Sequence, residues 1–143
     1  KVWELDSGKE VCTLEGHLGW VRAVALTGDG RRAVSASDDK TFKVWELDSG
    51  KEAWTLEGHQ GGVRAVALTG DGRRAVSASS DNTLKVWELE SGSLIASFTG
   101  DGSISSCAIA PDGLTIVAGE ASGRVHFLRL EGYGLSQESK SHP

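Results

Sequence analysis

Residues 1–10 read KVWELDSGKE, and the same ten residues recur at positions 43–52. The identity extends over the whole of residues 1–42 and 43–84, which differ at only 7 of 42 positions. A fixed period of this length is the signature of a repeat architecture, in which each unit is one supersecondary element that cannot bury its own faces. A looser third copy follows over residues 85–130. The period therefore decides the fold class before any local propensity is considered.

The positions at which the first two copies differ are few. They are Val11/Ala53, Cys12/Trp54, Leu18/Gln60, Trp20/Gly62, Asp38/Ser80, Lys40/Asn82 and Phe42/Leu84. The other positions of the two copies are identical. The differences in the loops are therefore explained either by selection for function or by free drift of exposed residues.

Composition and charge narrow the class of protein. Nineteen glycines against two prolines fit a chain with many tight turns. The net charge of -5 argues against nucleic acid as the main partner, because phosphate binding favours a basic face. No apolar run reaches membrane-spanning length and no signal peptide opens the chain, so we expect no membrane partner. The two cysteines lie at different repeat positions, which argues against a disulfide scaffold or zinc site and favours a cytoplasmic location.

Turn signals within each repeat predict short strands and exclude helices. The first full repeat predicts strands over residues 9–14, 21–27, 31–37 and 41–47. Gly28-Asp29-Gly30 is predicted to form a hairpin turn, since Asp-Gly tolerates positive φ. The segments AVAL and AVSAS do not alternate between apolar and polar residues, which is typical of strands buried on both faces. We therefore expect an all-β fold of repeated four-stranded antiparallel units.

Several short motifs recur at the repeat period. They are Gly16-His17 and Gly58-His59, Asp39-Lys40-Thr41 and Asp81-Asn82-Thr83, and Val44-Trp45 and Val86-Trp87. With these motifs the chain resembles the WD-repeat β-propeller family over about 130 of its 143 residues, with Trp-Glu where that family usually has Trp-Asp. The resemblance implies β-propeller blades of four antiparallel strands, about three in this chain, with repeats at approximately residues 1–42, 43–84 and 85–130.

The resemblance also implies a hydrogen-bonded structural tetrad in each well-formed blade. The implied tetrads are His17, Ser35, Asp39 and Trp45, and then His59, Ser77, Asp81 and Trp87. The residue types suit one another, because a buried carboxylate needs donors such as His and Ser, and the Trp indole N–H can donate to the Ser hydroxyl. The combination of Ser, His and Asp recurs in both copies and lacks a nucleophile-elbow motif. We therefore predict no catalytic residues, no metal ligands and no cofactor.

The third copy departs from the tetrad. Aligned on the turn Pro111-Asp112-Gly113, it carries Ala118, Ser122 and Leu128 at the positions of Ser35, Asp39 and Trp45. Terminal repeats are often atypical because they cap an array. Strands are still predicted over residues 103–110, 114–119 and 124–130, with His126 as a packed or surface residue rather than a ligand.

The two ends of the chain raise the question of closure. Residues 131–143 are predicted to be a polar, disordered C-terminal tail, which leaves the last repeat without its outer strand. Propellers close with about 4–8 blades, so three would expose both flanks. We favour a C-terminal piece of a longer propeller, closed by further blades of a parent chain. The alternative is a homo-oligomeric ring of two or three copies, in which residues 9–14 of one copy complete the last blade of another.

The resemblance implies partner binding at the surface from which the Gly-His loops emerge. The implied contact positions are Trp20, Arg22, Asp38, Gly62, Arg64 and Ser80, and more weakly Ser103, Ser105 and Ala121. Two of the seven differences, Trp20/Gly62 and Asp38/Ser80, fall on these positions. We therefore expect a non-catalytic scaffold or sensor that binds a protein or peptide; the alternative is a structural, self-assembling propeller without a ligand. The ending GRVHFLRLEG is similar to the C-terminal propellers of prokaryotic multidomain signalling proteins.

Overall fold

The computed structural model describes residues 1–132 and 134–137, and every regular element in that part of the chain is a β-strand. Three antiparallel four-stranded sheets follow one another along the chain, each with its strands paired in sequence order. We call them the first, second and third blades. A two-stranded sheet of β1 (Val2–Trp3) and β2 (Glu10–Cys12), the N-terminal hairpin, precedes them. The predicted all-β class and four-stranded antiparallel blades are confirmed.

The strand bounds lie within two residues of those predicted. The first blade contains β3 (Val21–Leu26), β4 (Arg32–Ser37), β5 (Phe42–Glu46) and β6 (Lys51–Leu56). The second contains β7 (Val63–Leu68), β8 (Arg74–Ser79), β9 (Thr83–Glu88) and β10 (Ser93–Thr99). The third contains β11 (Ile104–Ile109), β12 (Thr115–Glu120), β13 (Val125–Glu131) and β14 (Gly134–Gln137).

The hydrophobic core lies where adjacent blades pack on each other. Between the first and second blades the buried cluster is Val34, Ala36, Phe42, Val44, Leu56, Val63, Ala75, Trp87 and Leu89. Between the second and third blades it is Val76, Ala78, Leu84, Val86, Ala96, Ile104, Ile116, Ala118, Leu128 and Leu130. Strands β4 and β8, which both read RAVSAS, are buried along most of their length, as predicted.

Strand β3 does not follow the prediction of burial on both faces. Val24 and Leu26 are exposed to 72% and 63%, and Val21 is exposed as well. These side chains belong to the segment VRAVAL, whose apolar residues are largely covered in β7. Around Val21 and Val24 lies an open groove. Its lining includes Lys1 and Leu14, which flank the N-terminal hairpin, and the tetrad residues His17, Ser35 and Trp45. The prediction is wrong for β3 because the blade that would cover this face is not among the described strands.

The C-terminal end of the third blade also differs from the prediction. Strand β14 pairs with β13, with Leu135 opposite Leu130, and Leu135 packs against the core. The predicted disordered tail is therefore wrong for residues 134–137, and the third blade has its outer strand. Tyr133 and residues 138–143, also part of the predicted tail, lie outside the described residues. Within the single chain β2 pairs with β1, and β14 occupies the place beside β13 that residues 9–14 of another copy were expected to fill. Exchange between copies stays a prediction.

Candidate functional site

In the first blade, the structure brings together the four side chains that the resemblance implied. His17 Nδ1 lies 2.8 Å from Asp39 Oδ2, and His17 Nε2 lies 2.6 Å from Ser35 Oγ. The Trp45 indole N–H donates to Ser35 Oγ at 2.8 Å. The network is satisfied when Nδ1 carries the imidazole proton, so that it donates to the carboxylate while Nε2 accepts from the Ser hydroxyl. Gly16 precedes His17 because a Cβ there would lie 3.2 Å from Trp45 Cη2.

The second blade repeats this arrangement. His59 Nδ1 lies 2.9 Å from Asp81 Oδ2, and His59 Nε2 lies 2.7 Å from Ser77 Oγ. Trp87 Nε1 donates to Ser77 Oγ at 2.8 Å. In both blades the Ser hydroxyl joins His to Trp and does not contact the carboxylate, contrary to the expectation that Ser would donate to Asp. The carboxylate must therefore obtain its other donors elsewhere.

Those donors are a threonine and a loop amide that sequence reasoning did not assign. Thr41 donates to Asp39 Oδ1 through its backbone N–H at 2.9 Å and its hydroxyl at 2.6 Å. The Leu18 N–H donates to Asp39 Oδ2 at 3.0 Å. Thr83 and the Gln60 N–H serve Asp81 in the same way. The Asp-x-Thr spacing was the available signal, because an Asp side chain commonly accepts from the backbone two residues on.

The hydrogen bonds determine the charge state of each tetrad. Burial favours the neutral acid, but the bonds from Thr41, His17 and Leu18 outweigh it and hold the pKa of Asp39 far below its ordinary value. The same balance, with Thr83, Gln60 and His59 as donors, lowers the pKa of Asp81 to about 2. Burial lowers the pKa of His59, although Asp81 opposes this. In the second blade a neutral imidazole therefore bridges an ionised carboxylate and a hydroxyl.

The order Ser, His, Asp in each network matches the hydrogen-bond order of a catalytic triad. A structural tetrad differs from a catalytic triad in how accessible the Ser hydroxyl is to a substrate. Ser77 is fully buried, Ser35 is buried, and each hydroxyl oxygen already contacts both His and Trp. A nucleophile must reach its substrate. The Ser77 hydroxyl is enclosed, whereas Ser35, although buried, lies with His17 and Trp45 in the lining of the groove beside β3. In both blades the hydroxyl is held between His and Trp, and the arrangement supports the loops above it.

The third blade has a different polar pair in place of the tetrad. His126 Nε2 lies 2.7 Å from Glu120 Oε2, and both side chains are buried. Gln137 Nε2 approaches His126 Nδ1 at 3.3 Å, and the Phe98 ring lies 5.0 Å from the imidazole. The His126 hydrogen bond lowers the pKa of Glu120. Ala118 and Leu128 are buried and Ser122 is exposed, so the tetrad positions hold no polar network here. His126 is packed, as expected.

The predicted contact residues of the first blade form one connected group on the surface. Trp20 is 73% exposed, and the Arg22 guanidinium carbon lies 5.0 Å from its ring centroid. Arg22 donates to Asp38 in bidentate fashion, from Nε at 2.9 Å and from Nη2 at 2.7 Å. The Asp38 N–H in turn donates to the Trp20 carbonyl at 2.8 Å. The indole is thus held at the surface by a stacked cation that is itself anchored.

The contact residues of the second blade adjoin this group but carry different side chains. The Ser80 N–H donates to the Gly62 carbonyl at 3.0 Å, which matches the backbone bond between Asp38 and Trp20. A Cβ on Gly62 would lie 3.1 Å from Asp38 Oδ1, so the two blades meet here. Arg64 is exposed. The Ser103 hydroxyl donates to the Ser80 carbonyl at 3.3 Å, which joins the third blade to the same surface.

A β-bulge in the first strand of each blade explains how the arginines are directed. The pairing of β3 with β4 shifts between Val21 and Ala23, which leaves Arg22 as the extra residue. Arg64 is the extra residue in β7. A bulge re-aims the side chain of its extra residue. We call the surface formed by Trp20, Arg22, Asp38, Gly62, Arg64 and Ser80 the loop face. The bulges were not predicted, because a string such as VRAVAL carries no signal for an extra residue.

Within residues 1–132 and 134–137, no three His, Cys, Asp or Glu side chains are grouped so that they could hold a metal ion. No helix of that part of the chain has the length and hydropathy needed to cross a membrane. Burial raises the pKa of the Cys107 thiol to about 12, so this cysteine is not an activated nucleophile.

Comparison with known proteins gives matches that repeat along the chain. A family model described as "WD domain, G-beta repeat" matches residues 8–46, 50–88 and 92–127. The chain is 46% identical over 41 residues to nuclear distribution protein PAC1 of Arthroderma otae, and 44% identical over 43 residues to DDB1- and CUL4-associated factor 13 of Dictyostelium discoideum. It is 40% identical over 43 residues to apoptotic protease-activating factor 1 of Mus musculus.

Each of these alignments covers about one repeat. The aligned segments amount to 29%, 30% and 30% of this chain, and to only 9%, 10% and 3% of the three relatives. The similarity therefore concerns the repeat itself and not the whole of any relative. Each matched segment begins with the outer strand of one sheet and continues into the first strands of the next blade. Since the family model matches three successive segments that together cover most of the sequence, the chain belongs to the WD-repeat family.

Proposed function

We propose that this chain is a non-catalytic protein-interaction module, a scaffold or sensor, that binds a protein or peptide partner on the loop face. The observation that carries the proposal is the exposure of Trp20 at 73% together with its bracing by Arg22 and Asp38. A large aromatic side chain held in place at the surface loses little conformational freedom on binding. Trp and Arg are also the residues enriched at binding hot spots.

The differences between the first two blades support this assignment. Both blades keep the same tetrad bonds within about 0.1 Å, yet Trp20 becomes Gly62 and Asp38 becomes Ser80. A shared scaffold with a changed surface is what a binding protein with unequal blades would have. One of the similar proteins is named as a factor associated with two others, DDB1 and CUL4. That name is compatible with protein binding by this type of repeat.

Other classes of partner fit the surface less well. A net charge of -5 disfavours phosphate backbones and anionic membranes. The Ser, His and Asp side chains that could suggest hydrolysis are engaged in the hydrogen bonds of the tetrads. We therefore propose a function without catalysis, cofactor or metal, in the cytoplasm.

The alternative is a structural propeller without a dedicated ligand, in which identical chains assemble into a homo-oligomeric ring. It is favoured by the open face of β3, where Val21, Val24 and Leu26 are exposed. Contiguous apolar surface of this kind commonly marks an interaction site. Sedimentation over a range of micromolar concentrations tests it: a defined oligomer supports assembly, while a monomer that persists throughout contradicts it.

The test of the loop face uses substitutions that the chain itself supplies. A displayed library of random peptides is selected on the wild-type chain, and the enriched peptides are measured against Trp20→Gly, which copies Gly62. Leu18→Gln, which copies Gln60 at an exposed loop position beside the loop face, is the matched control. We expect Trp20→Gly to weaken binding by roughly 1–4 kcal/mol and Leu18→Gln to leave it unchanged. Equal binding by both variants would contradict the proposal, as would unfolding of Trp20→Gly.

A further inference from the structure

Two arginines occupy equivalent bulges on the loop face, but only one of them has an acidic partner. Arg22 and Arg64 follow the same residue, Val, in the identical segments of β3 and β7. Residue 38, which faces Arg22, is aspartate, whereas its counterpart at residue 80 is serine. The chemistry of the loop face therefore differs between the two blades at this one pair of positions.

Arg22 is fully engaged. Its Nε and Nη2 atoms contact the two oxygens of Asp38, and its guanidinium lies over the Trp20 ring. The Arg22 hydrogen bonds lower the pKa of Asp38, so the carboxylate stays ionised. A planar guanidinium paired bidentately with a carboxylate has little capacity left for another anion.

Arg64 makes no ion pair within 4.0 Å and no side-chain hydrogen bond in the part of the chain that the structure describes. The positive charge of Arg64 adds to the effect of Arg22 in lowering the pKa of Asp38. Both oxygens of the Asp38 carboxylate, however, accept hydrogen bonds from Arg22. Ser80, which lies where an aspartate would pair with Arg64, directs its hydroxyl to the Gly62 carbonyl at 3.4 Å. Arg64 is thus an exposed cation without an acidic partner.

Arg64 shares the loop face with the exposed Trp20 ring. Gly62 adjoins Asp38, Asp38 holds Arg22, and Arg22 stacks on Trp20. Glycine at residue 62 also leaves the space beside Arg64 free of the indole that stands at the equivalent position of the first blade. The aromatic surface and the unpaired guanidinium therefore belong to one face and are connected through Asp38 and Arg22.

From this asymmetry we infer that Arg64 binds a carboxylate of the partner, so that the loop face recognises an acidic peptide segment, with Trp20 contacting the apolar part of the same segment. The inference rests on the function proposed above and specifies the partner's chemistry. A carboxylate supplied in trans makes with Arg64 the bidentate contact that Asp38 makes in cis with Arg22. The serine at residue 80 is what keeps this place open.

The chain supplies the substitution that should close the site. Ser80→Asp copies Asp38 into a position with the same backbone hydrogen bond, so an internal carboxylate would occupy Arg64. Ser80→Asn is the matched control, because it has nearly the same shape without the charge. Arg64→Ala and Arg22→Ala form a second pair, in which only the first removes an unpaired cation.

The probe is a set of synthetic dodecapeptides that are identical except for a central Glu, Gln or Lys, built on sequences selected by the wild-type chain. We expect the Glu peptides to bind about tenfold more tightly than the Gln peptides. Ser80→Asp and Arg64→Ala should each abolish this preference, a loss of about 1.4 kcal/mol. Ser80→Asn should retain it. Arg22→Ala should weaken all peptides through the released Trp20 and should also reduce the Glu preference, because the freed Asp38 carboxylate would then compete for Arg64. Adding Asp38→Ala to Arg22→Ala should restore the preference. Circular dichroism establishes that each variant is folded.

The outcomes separate the inference from the proposed function. If Trp20→Gly weakens binding but Ser80→Asp leaves the Glu preference unchanged, the loop face binds peptides and the acidic specificity is wrong. If Trp20→Gly has no effect, the proposed function itself fails. Preference for a single-stranded oligonucleotide over the Glu peptides at the same salt concentration would also overturn the inference, because the anion recognised would then be phosphate.

Discussion

Strands β3 and β7 have the same six residues, VRAVAL, and different surroundings. Val21 in β3 is 52% exposed, whereas Val63, its equivalent in β7, is fully buried. The difference arises because β7 packs against the first blade, while β3 faces a groove. The same apolar side chains therefore contribute little to stability in β3 and much in β7. In a repeat protein, whether a side chain is buried depends on the neighbouring unit as well as on its own, in agreement with nearest-neighbour models of such proteins.

The largest expected effect comes from charging the two equivalent valines. Val63→Asp should lower the free energy of unfolding by roughly 3–5 kcal/mol, because the carboxylate is buried without a partner. Val21→Asp should change it by less than about 0.5 kcal/mol, because an exposed carboxylate stays hydrated. Denaturant titration, at a concentration where sedimentation gives a single monomeric species, measures both. Equal losses would mean that β3 is covered in solution and would break the comparison.

The tetrads extend the comparison to the third blade. Asp39→Ala and Asp81→Ala should each cost roughly 1–3 kcal/mol, because each leaves enclosed donors without an acceptor. Ser122→Ala, the corresponding change in the third blade, should cost less than about 0.5 kcal/mol, since Ser122 is exposed and belongs to no tetrad. The thermal midpoint of each variant is the measurement. An unchanged midpoint for Asp39→Ala would show that the network does not hold the first blade together.

Acidification should destabilise the two blades that carry tetrads. The lowered pKa of His59 means that the unfolded chain binds a proton first, so stability begins to fall as the pH drops below 6.5. Asp81, with its pKa lowered from 3.8 to about 2, contributes stability that is present above pH 3.8 and is lost between there and about pH 2. Asp39 acts in the same direction. Urea titrations from pH 7 to pH 2 should show this decline, and Asp81→Asn should make the lower part less steep. A stability that rises on acidification would contradict the assignment.

The smallest effect is expected in the turn before β5. Lys40 and Asn82 both have φ of 74°, a conformation that is unfavourable for most side chains and more tolerable for asparagine. Lys40→Asn, which makes the first turn like the second, should stabilise the chain by roughly 0.5–1 kcal/mol. Asn82→Lys, the reciprocal change, should destabilise it by a similar amount. Differential scanning calorimetry resolves both shifts, and two shifts of the same sign would refute the turn argument.

Much of the fold could be predicted because the period is visible in the sequence. Once residues 1–42 and 43–84 are aligned, each Gly-His pair, Asp-x-Thr triplet and Trp comes at the same place in its blade. The structure brings His17, Ser35, Asp39 and Trp45 into one network for that reason. Each motif that recurs at the same spacing supports the alignment of the others. A resemblance that depends on several such motifs therefore identifies one family.

The features that were not predicted depend on single residues or on neighbours. Strand β14 is short and mostly polar, and Leu135, which packs on the core, is too little signal to mark a strand. The exposure of β3 cannot be read from VRAVAL, because β7 has the same letters. Glu120 and His126 pair across six positions in a blade whose period is broken, so no second copy exists for comparison. The pairing of Arg22 with Asp38 required a bulge that only the strand register reveals.

The repeated segment KVWELDSGKE makes native pairing degenerate during folding. Strand β4 pairs with β5 in the native blade, but residues 1–4 have the same sequence as residues 43–46 and could form four of the same five residue pairs. The fifth pair, made by Phe42, and the much shorter loop closed by the native turn favour β5. The entropic advantage of that shorter loop is about 1–2 kcal/mol. A minority of molecules should therefore first pair β4 with residues 1–4 and must break that pairing before they can fold. This would appear as a second, slower refolding phase. Its amplitude should fall when the two segments are made to differ.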